Sequence, residues 1–582
     1  MAHQLLLKPR FGTQSRALIV EGYATARSVL AAQLRQLGVQ QVTQCSRAHE
    51  MRDHMRGHQF DVLVVAQALA DGTTGQELID EARRNGWLSL STVVLMVSAD
   101  ATYQVVAQVA ESALDGFVIK PYTVGQLEDR VMRAFARKES LRAILDAVDE
   151  RDYAQALVLC EMRFAGRGPH WTSAARIGAE LALRLQQLGL AQTFFDAVIH
   201  DRAVPWAKLG LARTLEAADK AGEALSTLAN LVSSEPTYAD AYDVMGRIHA
   251  EQGNFGAAIA AYKQAATITP HSVQRVQKYG ILAHYAGEPA EALAALQRAV
   301  TVGLNAPQFD HQALLLLSIG HFRGRDADAL RQCCEQLDTA LAHSALVKPA
   351  APATAGTATG GAAAAPPAEP PPTETTVVRR ERLRRMAELA HGFDRLLAED
   401  HPRAEEHAAN IAQGLETPPF DAEAASNLLS LVSAADAAGA PMAQAGEWAR
   451  RAGLRFCVSK HATELLARAC EASPVLAEQV RTTHAEISEA TRAALSEGLA
   501  GRHHQAVDTL LSWGERTLNA KLLEVAEATL ARYREHLEQD PEACAALAER
   551  AQTLRERCGK ALRERLAADA PPQAQPGGMW LP

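Results

Sequence analysis

Four short apolar runs in the first part of the chain end in residues whose types bear on chemistry. These ends are Glu21-Gly22, Ala66, Ser98 and Lys120-Pro121. A carboxylate, a hydroxyl and an ammonium are groups with which proteins bind phosphate and metal ions. The methyl group of Ala66 cannot attack phosphorus and offers no donor or acceptor, so this residue could contribute to a site only by van der Waals contact.

The apolar runs that carry these ends are predicted to be β-strands of one sheet. The predicted strands cover residues 17–20, 39–45, 60–66, 91–98 and 116–120. Helical patterns separate them, as in Thr25–Leu37, where apolar residues recur at helical spacing before Gly38. Strands that are apolar on both faces and alternate with helices indicate an α/β fold with a doubly wound parallel sheet. We predict this fold, with five helices, for residues 15–137. Ligands of such sheets bind at the carboxyl ends of the strands.

Four segments around these ends resemble the receiver domain of bacterial response regulators. They are residues 17–27 (ALIVEGYATAR), 69–75 (LADGTTG), 94–98 (VLMVS) and 117–121 (FVIKP). Each segment alone is weakly specific, but four in order at the right spacing form a strong signal. The resemblance implies the flavodoxin-like form of the doubly wound fold.

The resemblance also implies roles for single residues. In receivers a lysine pairs with the phosphoryl group, a hydroxyl donates a hydrogen bond to it, and an aromatic side chain reorients on activation. The matching positions in this chain are Lys120, Ser98 and Phe117, respectively.

The metal site and the phosphoacceptor that the resemblance implies are incomplete. Receivers bind magnesium through the reactive carboxylate and an acidic pair. Here Glu21 keeps one acid of that pair, Gly22 replaces the other, and Ala66 replaces the phosphoacceptor. We therefore expect no phosphorylation at the usual site, no cofactor, and magnesium binding that is lost or weak.

Two aspartates could be considered as displaced acceptors. Asp61 opens the same strand as Ala66 and would lie about 16 Å from the strand end, which is too far. Asp71, in the following loop, stays open as an alternative, although its place beside Gly72 is typical of a turn. For Lys120 two interpretations stay open: it only shapes the loop, or it pairs with Glu21 and holds the domain in one state.

A 34-residue period follows, over residues 139–342. The unit that begins at Ala241 carries Gly246, Ala258, Tyr262 and Pro270 at positions that resemble the tetratricopeptide repeat. Small residues let two antiparallel helices approach, and aromatic residues fill the space between repeats. We expect an all-α superhelix whose groove binds protein.

The rest of the chain contains a linker and a second helical region. Residues 343–376 are rich in alanine and proline, which predicts a semi-extended linker. Residues 377–569 show helical periodicity and form a predicted second all-α, repeat-like domain, and residues 570–582 form a predicted disordered tail. The basic run Arg379–Arg385 is interpreted as the solvated face of a helix.

Composition and the remaining motifs exclude several classes of function. The formal net charge of −9 gives no attraction to nucleic acid, and the eight cysteines lack zinc-ligand spacing. No membrane span, P-loop or set of nucleophile, base and acid is present in the sequence. His391 and the pair His503-His504 lack the sequence context of a phosphotransfer site or a chelate.

The sequence therefore favours a cytoplasmic, bacterial signalling adaptor that is not an enzyme. Its partners would be proteins, bound through the repeat groove and the receiver surface, with no nucleic acid and no membrane; a homodimer stays open. Two alternatives remain: an active phosphorelay regulator with a displaced acceptor, and a chaperone-like tetratricopeptide cofactor.

Overall fold

The computed structural model describes residues 11–12, 14–69, 73–99, 114–304, 306, 309–346, 374–417, 420–537 and 539–559. The chain divides into two compact units, one up to Pro270 and one from His271 to Ala570. The first unit contains a parallel sheet and pairs of helices, and the second is built of helices.

A five-stranded parallel sheet opens the first unit, with the strand order β2-β1-β3-β4-β5. The strands are Arg16–Val20 (β1), Gln41–Cys45 (β2), Val62–Ala66 (β3), Val93–Ser98 (β4) and Gly116–Ile119 (β5). Strands β3 and β4 are buried along their whole length, as expected where helices cover both faces of a sheet. The strand order reverses between β1 and β3, which places a crevice at their carboxyl ends. The predicted doubly wound, flavodoxin-like fold is confirmed.

Helices alternate with these strands. They are Ala24–Gln36 (α1), Ala48–Gly57 (α2), Gly75–Arg84 (α3) and Val124–Asp149 (α4). The helix predicted between β4 and β5 falls on residues 100–113, which lie outside the described residues.

Helix α4 is 26 residues long and belongs to two hydrophobic cores. The side chain of Thr123 caps its N-terminus. In its first half, Leu127 and Val131 pack into a core beside the sheet. In its second half, Leu141 and Leu145 pack into the core of the first helical pairs. Sheet and helical pairs are therefore joined by continuous helix, with no loop between them.

Antiparallel helices complete the first unit. They are Tyr153–Ala165 (α5), Trp171–Arg184 (α6), Leu188–Asp201 (α7), Pro205–Ala217 (α8), Ala221–Ser234 (α9), Ala239–Glu251 (α10) and Phe255–Ile268 (α11). Helices α6, α8 and α10 begin 34 residues apart, at Trp171, Pro205 and Ala239. The period predicted from the sequence is thus the period of the helical pairs.

Glycines on the first helix of each pair allow close approach of an aromatic ring from a neighbouring helix. A Cβ atom at residue 246 would lie 2.9 Å from the ring of Tyr262, and one at residue 210 would overlap the ring of Phe195. The small-residue role predicted for Gly246 is confirmed, since Tyr262 lies on the second helix of the same pair; Gly210, at another position of its repeat, allows the approach of Phe195 from the preceding pair.

The second unit continues with helical pairs. Its helices are Val273–Ala286 (α12), Pro289–Gly303 (α13), Gln312–Arg323 (α14), Ala327–Leu346 (α15), Glu374–Leu397 (α16), His401–Ala412 (α17), Ala422–Ala437 (α18), Ala445–Phe456 (α19), Lys460–Ala469 (α20), Pro474–Leu499 (α21), His503–Thr517 (α22), Ala520–Arg532 (α23), Arg534–Leu537 (α24) and Pro541–Arg557 (α25). A short 3-10 helix, Gln413–Glu416, follows α17. Among the helices of the described ranges, none has the length and apolar composition that a membrane crossing requires.

One hydrophobic core extends across both sides of residues 347–373. It includes Leu337 on α15, Leu389 and Phe393 on α16, and Leu428 on α18. The helical region after the predicted linker therefore packs directly on the array that precedes it. The middle of that linker and residues 560–582 lie outside the described residues, and the predicted domain boundaries stay predictions.

The basic run at residues 379–385 corrects one interpretation. Arg382 pairs with Asp310 at 3.2 Å, and Arg385 is buried, with its guanidinium over the ring of Phe420. Arg385 serves internal packing, so the interpretation of the run as a solvated face is wrong for this residue, whereas Arg382 keeps 41% of its side chain exposed beside Asp310. Sequence spacing could not show this, because the partners lie on elements distant in the chain.

The glycine contacts lead to a first prediction. Gly210→Ala should lower the free energy of unfolding by about 1–3 kcal/mol, since Phe195 would have to move. Gly222→Ala is the matched control, because its Cβ would meet nothing within 4 Å on helix α9. Urea unfolding followed by circular dichroism would measure both, and equal midpoints for the two variants would contradict the packing described.

Candidate functional site

The carboxyl ends of β1, β3, β4 and β5 lie side by side, which brings the predicted site residues to one crevice. Ala66 is paired in register with Val97, the residue before Ser98. The sheet continues one step beyond the strands, because Lys120 N donates to Ser98 O at 2.7 Å. Ala66 is 6% exposed and belongs to a hydrophobic core of the sheet.

Glu21 and Lys120 form an ion pair across this crevice. Lys120 Nζ lies 2.6 Å from Glu21 Oε2, and the Glu21 side chain is 3% exposed while that of Lys120 is 28% exposed. Of the two interpretations left open for Lys120, the structure shows the pairing with Glu21. The ammonium is thus bound by a carboxylate of the protein itself.

The second carboxylate oxygen of Glu21 is also used. Tyr23 N donates to Glu21 Oε1 at 3.0 Å, and Arg27 Nη1 donates to the backbone oxygens of Glu21 and Gly22 at 2.5 and 3.3 Å. These contacts fix the turn from β1 into α1. Glu21 therefore acts as an internal acceptor for both the backbone and Lys120.

Ser98 has a partner that sequence reasoning missed. Its hydroxyl donates a hydrogen bond to Oε1 of Gln67, the residue after Ala66. Gln67 is further fixed by its backbone, since its N–H donates to Val97 O at 2.9 Å. The one feature of the sequence that could have indicated Gln67 is its position, directly after the last residue of β3.

Phe117 lies on β5 and is half-buried against the hydrophobic core that contains Ala66 and Met96. Its neighbour Ile119 is 39% exposed.

The loop after Ala66 returns closely to the strand end. Gly75 N donates to Gln67 O at 2.8 Å, and a Cβ atom at residue 75 would overlap Ala66 O. Only glycine allows this approach of α3 to β3. Asp71, the alternative acceptor in this loop, lies outside the described residues.

Asp61 lies at the opposite, amino edge of the sheet. Its Oδ2 accepts a hydrogen bond from Arg16 N at 2.8 Å, at the start of β1. The expectation that Asp61 is too distant to replace the missing acceptor is confirmed.

Comparison with known proteins agrees with this geometry. Residues 17–132 match the protein family described as the response regulator receiver domain. This part of the chain is a receiver domain. It is 28% identical over 122 residues to the chemotaxis protein CheY of Pseudomonas aeruginosa, which covers 21% of this chain and 97% of that protein. It is 25% identical to chemotaxis protein CheY-3 of Vibrio cholerae, over 21% of this chain and 92% of that protein.

Two solved structures show a low overall similarity to this chain. One is the C-terminal part of a TPR repeat-containing protein from Cytophaga hutchinsonii, with 13% identity and a TM-score of 0.34, over 50% of this chain and 99% of that one. Another is PilW, a type IV pilus biogenesis factor, with 18% identity and a TM-score of 0.27, over 45% of this chain and 98% of that one. Helical repeats follow the receiver domain, as the 34-residue spacing of the pairs shows by itself.

The residues of this receiver do not fit the magnesium ion that the family implies. Magnesium requires an octahedral set of oxygen ligands, usually with one or two carboxylates. Gly22 and Ala66 present no side-chain oxygen, and both oxygens of Glu21 are engaged by Lys120 and Tyr23. Within the described ranges, no group of three or more His, Cys, Asp or Glu side chains could hold a metal ion.

The histidines singled out by sequence lie in structural contacts. His391 Nε2 lies 3.0 Å from Asp338, and the ring of His503 stacks on Tyr533 at 4.1 Å between centroids. Both contacts join neighbouring segments of the second unit. Neither arrangement points to phosphotransfer.

The ion pair in the receiver crevice gives the second prediction. Lys120→Met should destabilise the receiver by roughly 2 kcal/mol, because it leaves the buried Glu21 carboxylate without its counter-charge. Glu21→Gln combined with Lys120→Met should recover much of that loss. Thermal unfolding of the wild type, Lys120→Met, Glu21→Gln and the double variant would measure this, and a double variant as unstable as the sum of the single changes would show that the two side chains are not coupled.

Proposed function

We propose that this protein is a non-catalytic adaptor in bacterial signal transduction. In this proposal the receiver domain accepts no phosphate at Ala66, and the helical repeats bind protein partners. The observation that carries it is the Glu21–Lys120 ion pair at a strand end whose neighbour offers only a methyl group.

Internal contacts take the place that a phosphoryl group would occupy in a reactive receiver. The Lys120 ammonium is paired with Glu21, and the Ser98 hydroxyl donates to Gln67. We infer that these two contacts favour one arrangement of the strand ends. A domain with one populated state signals by what it binds and not by switching.

The repeats supply the binding surface. Stacked helical pairs form extended concave faces, on which peptides or partner helices bind. Regulation would then come from the abundance of the partner, from its own modification, or from pairing of two receiver domains.

The proposal also places the protein in the bacterial cytoplasm, without a cofactor and without nucleic acid as a partner. The relatives of the receiver are bacterial chemotaxis proteins, which supports a role in the bacterial cytoplasm. The net charge of −9 argues against nucleic acid as a partner. Magnesium binding is lost or weak because Glu21 is the one acid left of the family's metal-binding set.

Chemical phosphorylation gives the third prediction. After incubation with acetyl phosphate and magnesium, the wild-type protein should show no added phosphoryl group by intact-mass spectrometry. A base-labile phosphorylated species would overturn the proposal and favour a displaced acceptor such as Asp71.

The matched variant restores the missing groups. Gly22→Asp combined with Ala66→Asp should gain one phosphoryl group, because it supplies the nucleophile and the second acid while Lys120 and Ser98 remain. Gly22→Asp combined with Ala66→Asn is the control, since the amide cannot attack phosphorus. Labelling of the control would place the modification elsewhere in the chain.

Partner capture gives the fourth prediction. Affinity capture of the full chain from its native cell, with quantitative mass spectrometry, should yield one or two partners at near-stoichiometric amounts. Many unrelated, unfolded clients at low occupancy would favour the chaperone-like alternative. Light scattering of the purified chain would show whether a second copy is itself a partner.

A further inference from the structure

The connection between α5 and α6 carries a group of cationic side chains on the surface of the first unit. It consists of residues 166–170, with the sequence Gly-Arg-Gly-Pro-His. Arg167 and His170 are exposed, and Arg163, from the last turn of α5, is half-buried. We call Arg163, Arg167 and His170 the basic cluster.

Arg167 holds its guanidinium against two aromatic rings. Its Cζ lies 3.8 Å from the ring centroid of Trp171 and 4.8 Å from that of Phe164. Both rings pack on the hydrophobic core of the first helical pairs, which fixes their positions. A guanidinium whose face lies on aromatic rings keeps its N–H edges available for two parallel hydrogen bonds. Arg167 is therefore positioned in advance to bind an oxyanion.

The guanidinium of Arg167 also lacks a counter-charge. Within the described ranges, its side chain forms no ion pair with a carboxylate. Arg56 provides a comparison, because its guanidinium lies 5.0 Å from the ring centroid of Trp87 but pairs with Asp53 at 3.6 Å. The two arginines share the stacking on tryptophan, and of the two Arg56 has an acid partner.

Arg163 reaches the same connection from α5. Its Nη2 donates to Ser140 O at 2.6 Å, and its Nη1 would lie 3.4 Å from a Cβ atom at residue 168. Glycine at residue 168 thus lets this side chain lie against the backbone next to Arg167. In the part of the chain that the structure describes, Arg163 pairs with no carboxylate, so its charge adds to that of Arg167.

The surroundings of His170 show the same excess of positive charge. Partial desolvation lowers the pKa of His170 below its usual value, and the charges of Arg137 and Arg163 lower it further. Among the described residues, no carboxylate acts on His170 in the opposite direction. An anion bound at the basic cluster would offset this repulsion.

The charge of the whole chain limits which anions fit the basic cluster. The formal net charge is −9, so the positive charge of the cluster is local. A long polyanion such as nucleic acid would be repelled by the rest of the chain, whereas a short acidic segment would contact the cluster alone. The two oxygens of a carboxylate match the two donor edges of a guanidinium.

We propose that the basic cluster binds a short acidic segment of a partner protein. One carboxylate would accept two hydrogen bonds from Arg167, and a second would lie near Arg163. This inference deepens the proposed adaptor role, since it names the chemistry of one contact with a partner. The cluster belongs to the helical pairs, so it does not depend on the crevice at Ala66.

The test measures binding of a fluorescein-labelled hexaglutamate peptide to the full-length protein by fluorescence anisotropy, at one fixed low ionic strength. Arg167→Gln should weaken binding about tenfold, because it removes a bidentate, charge-assisted contact. Arg167→Lys keeps the charge but loses the planar fork, and it should weaken binding about threefold. Arg163→Gln should weaken binding about fivefold.

Arg56→Gln is the matched control. Arg56 is likewise stacked on tryptophan and has 58% of its side chain exposed, but Asp53 already neutralises it. Its substitution should change the affinity less than about twofold.

Any of three results would refute the site: equal affinity of the wild type and Arg167→Gln, an equal loss in Arg56→Gln, or binding of a hexaglutamine peptide as tight as that of hexaglutamate. Tighter binding of a hexapeptide with phosphoserine in place of glutamate would overturn the assignment to carboxylates. If circular dichroism showed that Arg167→Gln disturbs the fold, Arg163→Gln would decide. Failure of the peptide to bind would leave the adaptor role standing, because phosphorylation and partner capture test that role separately.

Discussion

The sharing of helix α4 between two hydrophobic cores is the constraint on which the first unit depends. Its first half covers the sheet and its second half packs the first helical pairs. Asp115, just before β5, strengthens this arrangement because it binds Arg137 and Lys138 in the middle of the helix while it holds Val94 of β4. A buried carboxylate with two cations and a backbone donor is costly to disturb from either side. The receiver domain and the first helical pairs are therefore joined at this junction by shared packing on helix α4.

At the opposite edge of the sheet, charge compensation explains how the receiver keeps its shape with a methyl group at residue 66. A buried carboxylate and a lysine with no phosphoryl group would each be unfavourable alone. Glu21 and Lys120 satisfy one another, and Gln67 satisfies Ser98. The polar groups around Ala66 are thereby satisfied by contacts inside the protein. The fold tolerates Ala66 because the neighbouring polar groups have partners of their own.

The sequence predicted what depends on local pattern. Spacing along the chain predicted the apolar runs, their ends at Glu21 and Lys120, and the 34-residue period. The structure contains the corresponding strands, the ion pair between those two ends, and helical pairs of that period. The sequence did not predict Gln67 as a partner of Ser98, nor Asp115 as the centre of the junction, since these contacts join residues far apart in sequence. The continuity of the core across residues 347–373 was missed for the same reason. A stretch rich in alanine and proline indicates a break in helix, but it says nothing about whether the helices on its two sides pack together.

Strand β4 connects the two edges of the receiver. Residues at and just before its start accept and donate hydrogen bonds at the junction with α4, and its last residue, Ser98, lies in the crevice beside Ala66. The strand is buried throughout and paired on both sides, so it cannot shift without breaking both ladders. In a receiver that switches, such a strand could carry a change at one edge to the other. Here Lys120 at the crevice is paired with Glu21. Because helix α4 belongs to the core beside the sheet and to the core of the first helical pairs, the receiver and those pairs are held in one orientation.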